Sequence, residues 1–307
     1  MSVLPRLASA AAKINLFLHV GPPEANGYHP LLSWVVFTDT GAGDQLRLDL
    51  ALPSDPPMTL AIDGPFGMGL STGSDNLVWR AWSGFNAAFG PLPPVRIHLE
   101  KALPLAAGIG GGSSDAGTVL RLLRDQFRTD VSDSNLEPLA AALGADGVMC
   151  LYQRAAVVTG YGEILAPAPI MSGSLSDLAV VLVNPGQPSP TGAVYAAYDA
   201  ALNVMGASAS AALPSELPER LDNLKDLVAV LEATRNDLER PAIALCPAIG
   251  KVLASLRRHP ATAFARMSGS GATCFALCET RKGAEALAVH LRELYPDGWV
   301  AVAGLKA

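Results

Sequence analysis

The sequence has few charged residues and no general excess of positive charge. Only 16% of its 307 residues are charged, and the formal net charge is −6. A protein that holds nucleic acid through a broad basic surface needs the opposite balance, so that class is disfavoured. A nucleotide held by backbone amides and one or two lysines remains compatible with this charge.

Long hydrophobic runs are also missing. No stretch of about 18 apolar residues is present, so the sequence predicts no transmembrane helix. The apolar stretch near the N-terminus is interrupted by Lys13 and Asn15 and reaches no clear signal-peptide cleavage pattern. We therefore expect a cytoplasmic protein without a membrane partner.

Cysteine is scarce, and its spacing does not fit a metal site. The four cysteines, Cys150, Cys246, Cys274 and Cys278, include no Cys-x-x-Cys pair, and the five histidines are scattered. Reduced thiols in the core are a better interpretation than a disulfide framework or a zinc site. We expect no protein metal ligands.

Glycine, in contrast, is concentrated in one segment. Four glycines fall within five positions, between a strand pattern over Val95–Glu100 and a helical pattern that follows. Ser113 and Ser114 are expected to cap that helix. A strand, a glycine loop and a helix start form an anion site, because backbone N–H groups approach the ligand and the helix dipole favours negative charge. The expected phosphate loop comprises Pro104, Leu105, Ala106, Ala107, Gly108, Ile109, Gly110, Gly111, Gly112, Ser113 and Ser114.

This loop differs from the commoner phosphate-binding motifs. It contains no Gly-x-x-x-x-Gly-Lys-Ser/Thr sequence, so a Walker loop is unsupported. Ser113 stands where a dinucleotide-binding motif has its third glycine. The alternative is a flexible turn before an ordinary helix, which four clustered glycines make the weaker interpretation.

The strand pattern over residues 12–20 sets two polar residues on one face. Lys13 and Asn15 alternate with apolar neighbours, so they share an environment opposite the packed face. On the sequence alone, a solvated surface lysine is the preferred interpretation. A functional lysine requires an anion or a carboxylate facing it.

Two further segments leave alternatives open. The turn that ends in Tyr28 and His29 could stack on and hydrogen-bond a base, but a surface turn with one buried tyrosine is preferred. Asp146 follows a predicted helix, where an aspartate is usually a cap or a turn former. As a catalytic base it would need a lysine or a ligand hydroxyl nearby.

Strands and helices are mixed in both halves of the chain, which predicts two α+β domains. An Ala-, Pro- and Ser-rich stretch around 167–176 is the expected boundary, giving domains 1–166 and 167–307. Residues 206–219 are low in complexity and are expected to form a surface insertion.

Taken together, these segments resemble the GHMP kinase superfamily, and within it the kinases of 4-diphosphocytidyl-2-C-methyl-D-erythritol. The glycine loop is similar to the ATP-phosphate motif of the superfamily. Further matches follow in family order over nearly the whole chain. They are Ala12–Leu18, Gly27–His29, Leu143–Asp146, Val183–Gly186, Asn236–Glu239 and Met267–Ala272.

The resemblance implies a fold and a reaction. The implied fold is α+β with two domains, an N-terminal ATP-binding domain of the ribosomal-protein-S5-domain-2-like type and a ferredoxin-like C-terminal domain. The implied reaction transfers the γ-phosphoryl group of ATP to the substrate's 2-hydroxyl, with Mg²⁺, in the non-mevalonate route to isoprenoid precursors. The implied partners are these two small molecules and no nucleic acid, with the chain a monomer or a weak homodimer.

The resemblance also implies roles for single residues. Asp146 matches the base that accepts the hydroxyl proton, and Lys13 matches the lysine paired with it. Asn76 and Lys101 are similar to the adenosine-side contacts. The implied substrate-binding residues are Asn15, Tyr28, His29, Thr191 and Tyr195.

Some positions depart from the family pattern. Gly147 and Val148 follow Asp146 where Val-Pro is usual, which is expected to loosen the backbone beside the base. Pro22–Asn26 replaces the Arg and Asp that usually precede Gly-Tyr-His, which puts one substrate-phosphate contact in doubt. Two alternatives follow: another GHMP kinase, of the mevalonate or homoserine type, or a nucleotide-binding protein without catalysis.

Overall fold

The computed structural model describes residues 5–172, 175, 178–205 and 217–306. Its strands are β1 Arg6–Ala11, β2 Lys13–Val20, β3 Leu31–Thr38, β4 Gly43–Leu50, β5 Met58–Asp63, β6 Val95–Glu100, β7 Ala156–Thr159, β8 Ile164–Pro167, β9 Ile170–Met171, β10 Ala179–Asn184, β11 Arg220–Leu221, β12 Phe264–Met267, β13 Cys274–Cys278 and β14 Trp299–Lys306. Its helices are α1 Leu77–Phe89, α2 Gly111–Phe127, α3 Asp133–Ala141, α4 Gly147–Tyr152, α5 Thr191–Met205, α6 Leu224–Glu232, α7 Glu239–Leu245, α8 Pro247–Arg258 and α9 Arg281–Leu294.

The chain divides into two compact units that interleave along the sequence. Unit 1 comprises Met1–Lys13, Ala42–Leu105 and Gly110–Gln153, and unit 2 comprises Ile14–Gly41, Ala106–Ile109 and Arg154–Ala307. Both units mix helices and strands, as the α+β prediction requires. The domain boundary after residue 166 stays a prediction, and most of the low-complexity segment 206–219 lies outside the described residues.

Unit 1 is built on a four-stranded sheet with the order β1-β4-β6-β5. The outer pair β5 and β6 is parallel, and the other neighbours are antiparallel. Strand β6 alternates buried Val95, Ile97 and Leu99 with more exposed neighbours, so one face of this sheet packs. Helices α1 and α2 pack against each other in this unit, and α2 also contacts β1 and β4.

Glycine allows close helix packing at two places in unit 1. A Cβ atom on Gly117 of α2 would lie 2.6 Å from the Cys150 carbonyl oxygen, so only glycine fits against α4. A Cβ atom on Gly147 would overlap the Ala140 carbonyl at the end of α3. Gly147 is buried, and its lack of a side chain lets the backbone of α3 approach closely. The expectation that Gly147 loosens the backbone beside Asp146 therefore does not agree with this tight packing.

Unit 2 is built on an eight-stranded sheet with the path β12-β13-β10-β14-β3-β7-β8, in which β2 pairs with β3. Strand β10 lies between β13 and β14, and all six of its residues are buried. Its nearly continuous apolar sequence is typical of a strand covered on both faces. Helix α9 begins after its Thr280 cap and turns Leu287 and Leu291 into the same core.

Candidate active site

Unit 1 brings Lys13 and Asp146 together. The Lys13 ammonium lies 3.1 Å from Asp146 Oδ1, and the two side chains are 7% and 34% exposed. The preferred interpretation of Lys13 as a solvated surface residue is therefore wrong. Both faces of β2 are buried, so the polar face of this strand does not face solvent.

Asp146 occupies the N-cap position of α4, but its side chain does not cap the helix. It stands immediately before α4, but within the described part of the chain its side chain makes no capping hydrogen bond to that helix. Its side chain instead contacts the Lys13 ammonium and remains partly accessible. A buried ammonium with an accessible carboxylate fits proton acceptance beside a developing negative charge.

Helix α2 begins about one turn earlier than the two serines of the phosphate loop predict. Gly110 adopts the left-handed conformation with φ 64° as the N-cap residue, and α2 begins at Gly111. Ser113 and Ser114 thus lie in the first turn, and the expectation that they cap the helix is wrong. No side chain among the described residues makes a capping bond at this N-terminus. An uncapped helix start with glycine at its first positions suits a phosphate group.

The central part of the loop is held within unit 2. The Thr273 amide donates to the Ala107 carbonyl at 3.2 Å, and the Ser268 hydroxyl donates to the Gly108 carbonyl at 3.0 Å. Gly108 has φ 73°, and a Cβ atom there would lie 2.5 Å from the Ser268 carbonyl oxygen. These bonds join the phosphate loop to a second glycine-rich segment, Met267–Thr273, which contains Gly269 and Gly271.

Unit 2 contains the three rings that the family resemblance implies in substrate binding, those of Tyr28, His29 and Tyr195. His29 lies 4.9 Å from Tyr195 between ring centroids, and its Nδ1 is 3.1 Å from the Gly21 carbonyl oxygen. Its Nε2 lies 3.5 Å from Asp199 Oδ1. Tyr28 is 63% exposed, with its ring 5.7 Å from that of Tyr161. The predicted surface turn is present, but its tyrosine, Tyr28, is exposed, so the expectation of a buried tyrosine is wrong.

Thr191 and Tyr195 come from α5, one turn apart. The Thr191 hydroxyl lies 2.8 Å from the Ser270 hydroxyl, in the second glycine-rich segment. Ser189 donates to the Ser270 carbonyl at 2.8 Å just before this helix. The start of α5 is thus tied to the segment that also holds Gly108.

Asn15 is 4% exposed and held at two points in unit 2. Its backbone amide donates to the Ser268 hydroxyl at 3.1 Å, and its Nδ2 donates to the Ser33 hydroxyl at 2.8 Å. Its Oδ1 is buried and has no hydrogen-bond partner among the residues described. An unpaired buried acceptor of this kind points to a missing donor.

Comparison with known proteins identifies the family. The model of the GHMP kinases N terminal domain matches residues 76–154, and that of the GHMP kinases C terminal matches residues 208–297. A 4-diphosphocytidyl-2-C-methyl-D-erythritol kinase of Caulobacter vibrioides (strain NA1000 / CB15N) is 52% identical over 295 residues, which are 95% of this chain and 97% of the relative. The chain belongs to this family of GHMP kinases.

Solved structures agree with this assignment. The crystal structure of a 4-(cytidine 5'-diphospho)-2C-methyl-D-erythritol kinase superposes with a TM-score of 0.71 at 31% identity, covering 97% of this chain and 99% of that chain. A homoserine kinase from Cytophaga hutchinsonii superposes with a TM-score of 0.68 at 15% identity, covering 98% and 95% of the two chains, which shows the fold alone. The predicted α+β two-domain GHMP kinase fold is confirmed.

In this GHMP kinase the two predicted adenosine-side residues already have protein partners. The Lys101 ammonium is buried, 2.5 Å from Asp44 Oδ2 and 2.6 Å from Asp115 Oδ2. Burial opposes its charge, but the two carboxylates outweigh burial and raise the pKa of Lys101. Asn76 caps α1 by accepting from the Val78 amide at 2.8 Å. Their contacts with adenosine stay a prediction.

The described residues of this kinase show neither a membrane-spanning helix nor a cluster of metal-ligating side chains. Among the described residues no helix is long and apolar enough to span a bilayer. Within the same ranges, no three His, Cys, Asp or Glu residues are grouped to hold a metal ion.

The four cysteines are free and buried, which confirms the predicted core thiols. Burial, followed by the charge of Asp146, raises the pKa of Cys150 to about 12.

Sequence reasoning missed several polar residues around the site of this kinase. Ser33 is a single serine in the apolar run of β3, and Asp44 has no motif around it. Asp199 follows Tyr195 by one helical turn, a spacing that would have singled it out had α5 been predicted.

Proposed function

We propose that the chain transfers the γ-phosphoryl group of ATP to the 2-hydroxyl of 4-diphosphocytidyl-2-C-methyl-D-erythritol, a step of isoprenoid precursor biosynthesis. The names of its relatives support this substrate. The observation that carries the chemistry is the 3.1 Å pair of Lys13 and Asp146, because a phosphoryl transfer to an alcohol needs a base and a cation side by side.

In this mechanism Asp146 accepts the proton of the 2-hydroxyl. The hydroxyl oxygen forms a bond to the γ-phosphorus while the bond to the bridging oxygen of ADP breaks. Lys13 keeps its ammonium beside the base and offsets the negative charge that develops on the transferred group. The products are the phosphorylated alcohol, ADP and the proton held by Asp146.

The loop 104–114 is proposed to hold the ATP phosphates. A Cβ atom on Gly110 would lie 3.2 Å from Lys13 Cβ, so the loop and the catalytic lysine are neighbours in unit 1. The start of α2 supplies N–H donors and the positive end of its dipole. Asn76 and Lys101 are proposed on the adenosine side.

Mg²⁺ is proposed to arrive with ATP. The described residues contain no cluster of three metal-ligating side chains, so the phosphates must supply most of its ligands. When bound, Mg²⁺ neutralises phosphate charge and orients the γ-phosphoryl group.

Cytosine recognition is proposed for the aromatic cluster of unit 2. Tyr28 presents an exposed ring, and His29 with Tyr195 forms a second ring pair. Aromatic faces stack on bases, and a histidine ring nitrogen can hydrogen-bond one. These rings favour the cytidine-linked substrate over mevalonate or homoserine, which carry no base to stack. Thr191 and Asn15 are proposed to contact the rest of the substrate.

The cellular setting is part of the proposal. We place the enzyme in the cytoplasm, in keeping with its four free thiols. We expect a monomer or a weak homodimer without a nucleic-acid partner, in keeping with the net charge of −6.

The test measures ADP formation by the purified chain with ATP and Mg²⁺. The cytidine-linked substrate, mevalonate and homoserine are supplied separately, and ³¹P NMR identifies the product. We expect turnover with the cytidine-linked substrate and a new phosphomonoester signal. Turnover only with mevalonate or homoserine contradicts the substrate, and no turnover with any of the three supports a catalytically inactive nucleotide-binding protein.

A further inference from the structure

The Asn15 side chain lies at the end of a chain of buried hydrogen bonds. The Ser33 hydroxyl donates to the Phe17 carbonyl at 2.6 Å, and Asn15 Nδ2 lies 2.8 Å from the same hydroxyl oxygen. Ser33 is 1% exposed, so this arrangement is shielded from water. Because a serine hydroxyl has one proton, it can face Asn15 only as an acceptor. The Asn15 amide must therefore turn its NH₂ group towards Ser33.

The backbone of Asn15 is held in the same way from a second side. Its amide donates to the Ser268 hydroxyl, whose own proton goes to the Gly108 carbonyl. Each serine thus accepts from Asn15 and donates to a carbonyl. With the backbone amide and one N–H of the side chain fixed, Oδ1 is the polar atom of Asn15 that has no partner among the described residues.

Asn15 Oδ1 is buried beside the second glycine-rich segment. A Cβ atom on Gly269 would lie 3.4 Å from it, which is van der Waals contact, so this glycine lies directly beside the oxygen. Among described residues Oδ1 has no partner, although a buried acceptor loses free energy when it is unpaired. An oxygen in this state accepts from a hydroxyl, whereas it repels a phosphate or carboxylate oxygen.

We propose that Ser33 is a positioning residue that orients the Asn15 amide, so that Oδ1 accepts a hydrogen bond from a hydroxyl of the alcohol substrate. This inference rests on the proposed function, whose substrate is a polyol. Ser33 itself contacts no substrate; it decides whether Asn15 offers an acceptor or a donor. A serine at position 33 thus makes Asn15 prefer a hydroxyl group as its ligand.

The test is a double-mutant cycle on the full chain, with KM and kcat measured for both substrates. Ser33→Ala is expected to raise KM for the cytidine-linked substrate about fivefold, the effect of one lost hydrogen bond, with KM for ATP changing less than about twofold. Ser33→Thr, which keeps the hydroxyl, should restore most of the affinity. In an Asn15→Ala background, Ser33→Ala should have no further effect on that KM, because it acts through the amide.

Thr234→Val is the matched control. Its buried hydroxyl also donates to a carbonyl, that of Leu231 at 2.9 Å, and accepts from Arg266 Nη1 at 3.3 Å, so its loss reports the general effect of removing a buried hydroxyl that both donates and accepts. If Ser33→Ala is recovered unfolded, Ser33→Cys keeps the volume with a weak donor and acceptor and replaces it in the cycle.

Three results overturn the positioning role while leaving the proposed function intact. They are an unchanged KM in Ser33→Ala, equal rises in both KM values, and effects of Ser33→Ala and Asn15→Ala that multiply in the double variant. A wild-type chain that forms no ADP with the cytidine-linked substrate instead removes the proposed function, and this inference with it.

Discussion

The Lys13 ammonium lies 3.1 Å from Asp146 Oδ1, although 133 residues separate the two in the chain. Lys13 begins β2, and Asp146 stands before α4, so a strand end and a helix start bring them together. The ammonium is the more buried partner, and the carboxylate keeps an accessible side. This asymmetry leaves the base free to take a proton while its charge partner stays fixed.

Replacing Asp146 should remove the chemical step and spare ATP binding. We expect Asp146→Asn, which keeps the shape and loses the base, to lower kcat about 10²- to 10⁴-fold. KM for ATP should change little, because the phosphates bind through the loop. Steady-state ADP formation measures both constants.

Asp130→Asn is the control for that experiment. Asp130 pairs with Arg128 on the surface and is 67% exposed, so its loss should leave kcat within about twofold. A kcat for Asp146→Asn as high as that of the control would show that another group accepts the proton.

Much of the fold follows from apolar periodicity in the sequence. The pattern over 95–100 coincides with β6, and the strand pattern over 12–20 contains β2. Strand β3 was not predicted, because its run Leu-Leu-Ser-Trp-Val-Val-Phe-Thr lacks alternation and is mostly buried. Helix α5 was not predicted either, since its alanine-rich sequence carries only a weak apolar stripe.

The site is harder to predict than the fold, for reasons visible at single residues. Alternation placed Lys13 and Asn15 on one face of β2, but it cannot tell that this face is covered as well as the apolar one. The serines of the phosphate loop resembled caps, but Gly110 adopts the left-handed conformation and starts α2 earlier. Ser33 gave no signal at all, because its role depends on a carbonyl and an amide from a neighbouring strand.

Tyr28 should matter for the cytidine-linked substrate alone. Its ring is exposed and therefore free to stack on a base, an interaction worth about 1–3 kcal/mol by truncation to alanine. We expect Tyr28→Ala to raise KM for that substrate about tenfold or more, with KM for ATP nearly unchanged. Tyr28→Phe keeps the ring and should stay close to the wild type. Equal KM values of the alanine and phenylalanine variants for the cytidine-linked substrate would contradict a stacking role of Tyr28.

Gly110 should be irreplaceable even by alanine. Its φ of 64° is unfavourable for a residue with a Cβ atom, by roughly 1–2 kcal/mol, and that atom would press on Lys13. We expect Gly110→Ala to raise KM for ATP and lower kcat, because the loop and the lysine shift together. Gly84→Ala in α1 is the control, since its nearest neighbour, Leu139 Cδ2, would be 3.6 Å away. That change should stabilise the helix by about 0.5–1 kcal/mol and spare activity.

The buried group of Lys101, Asp44 and Asp115 should be sensitive to loss of its cation. Burial raises the pKa of Asp115, and the charge of Asp44 adds to this, so the second carboxylate is costly to keep ionised. We expect Lys101→Met to lower the free energy of unfolding by about 3–5 kcal/mol, because it leaves two buried acids without a cation. Asp115→Asn should cost much less. Urea unfolding measures both.

Arg220→Met tests whether any lost ion pair has this effect. Arg220 and Asp222 are paired on the surface, at side-chain exposures of 60% and 67%, and removing such a pair should cost less than about 1 kcal/mol. Similar losses for Lys101→Met and Arg220→Met would contradict a special role for burial.

His19 should make the stability of the protein depend on pH in the mildly acidic range. Burial, with a smaller contribution from the charge of Arg235, lowers the pKa of His19 from 6.5 to about 4. Between pH 6.5 and about pH 4 the unfolded chain therefore binds a proton at His19 that the folded chain does not bind. The stabilisation is complete above pH 6.5 and is lost progressively as the pH falls towards 4, by on the order of 3 kcal/mol.

His19→Phe should flatten this part of the pH profile. Both ring nitrogens of His19 are buried without a partner among the residues described, and Phe17 packs against the ring at 5.3 Å, so an apolar ring suits the position. Urea unfolding between pH 7 and pH 4 measures the slope. His98→Gln is the control, because the His98 side chain is 41% exposed to solvent, and its replacement should change the slope much less than that of the buried His19. An equal slope in wild type and His19→Phe would mean that other groups carry the acid sensitivity.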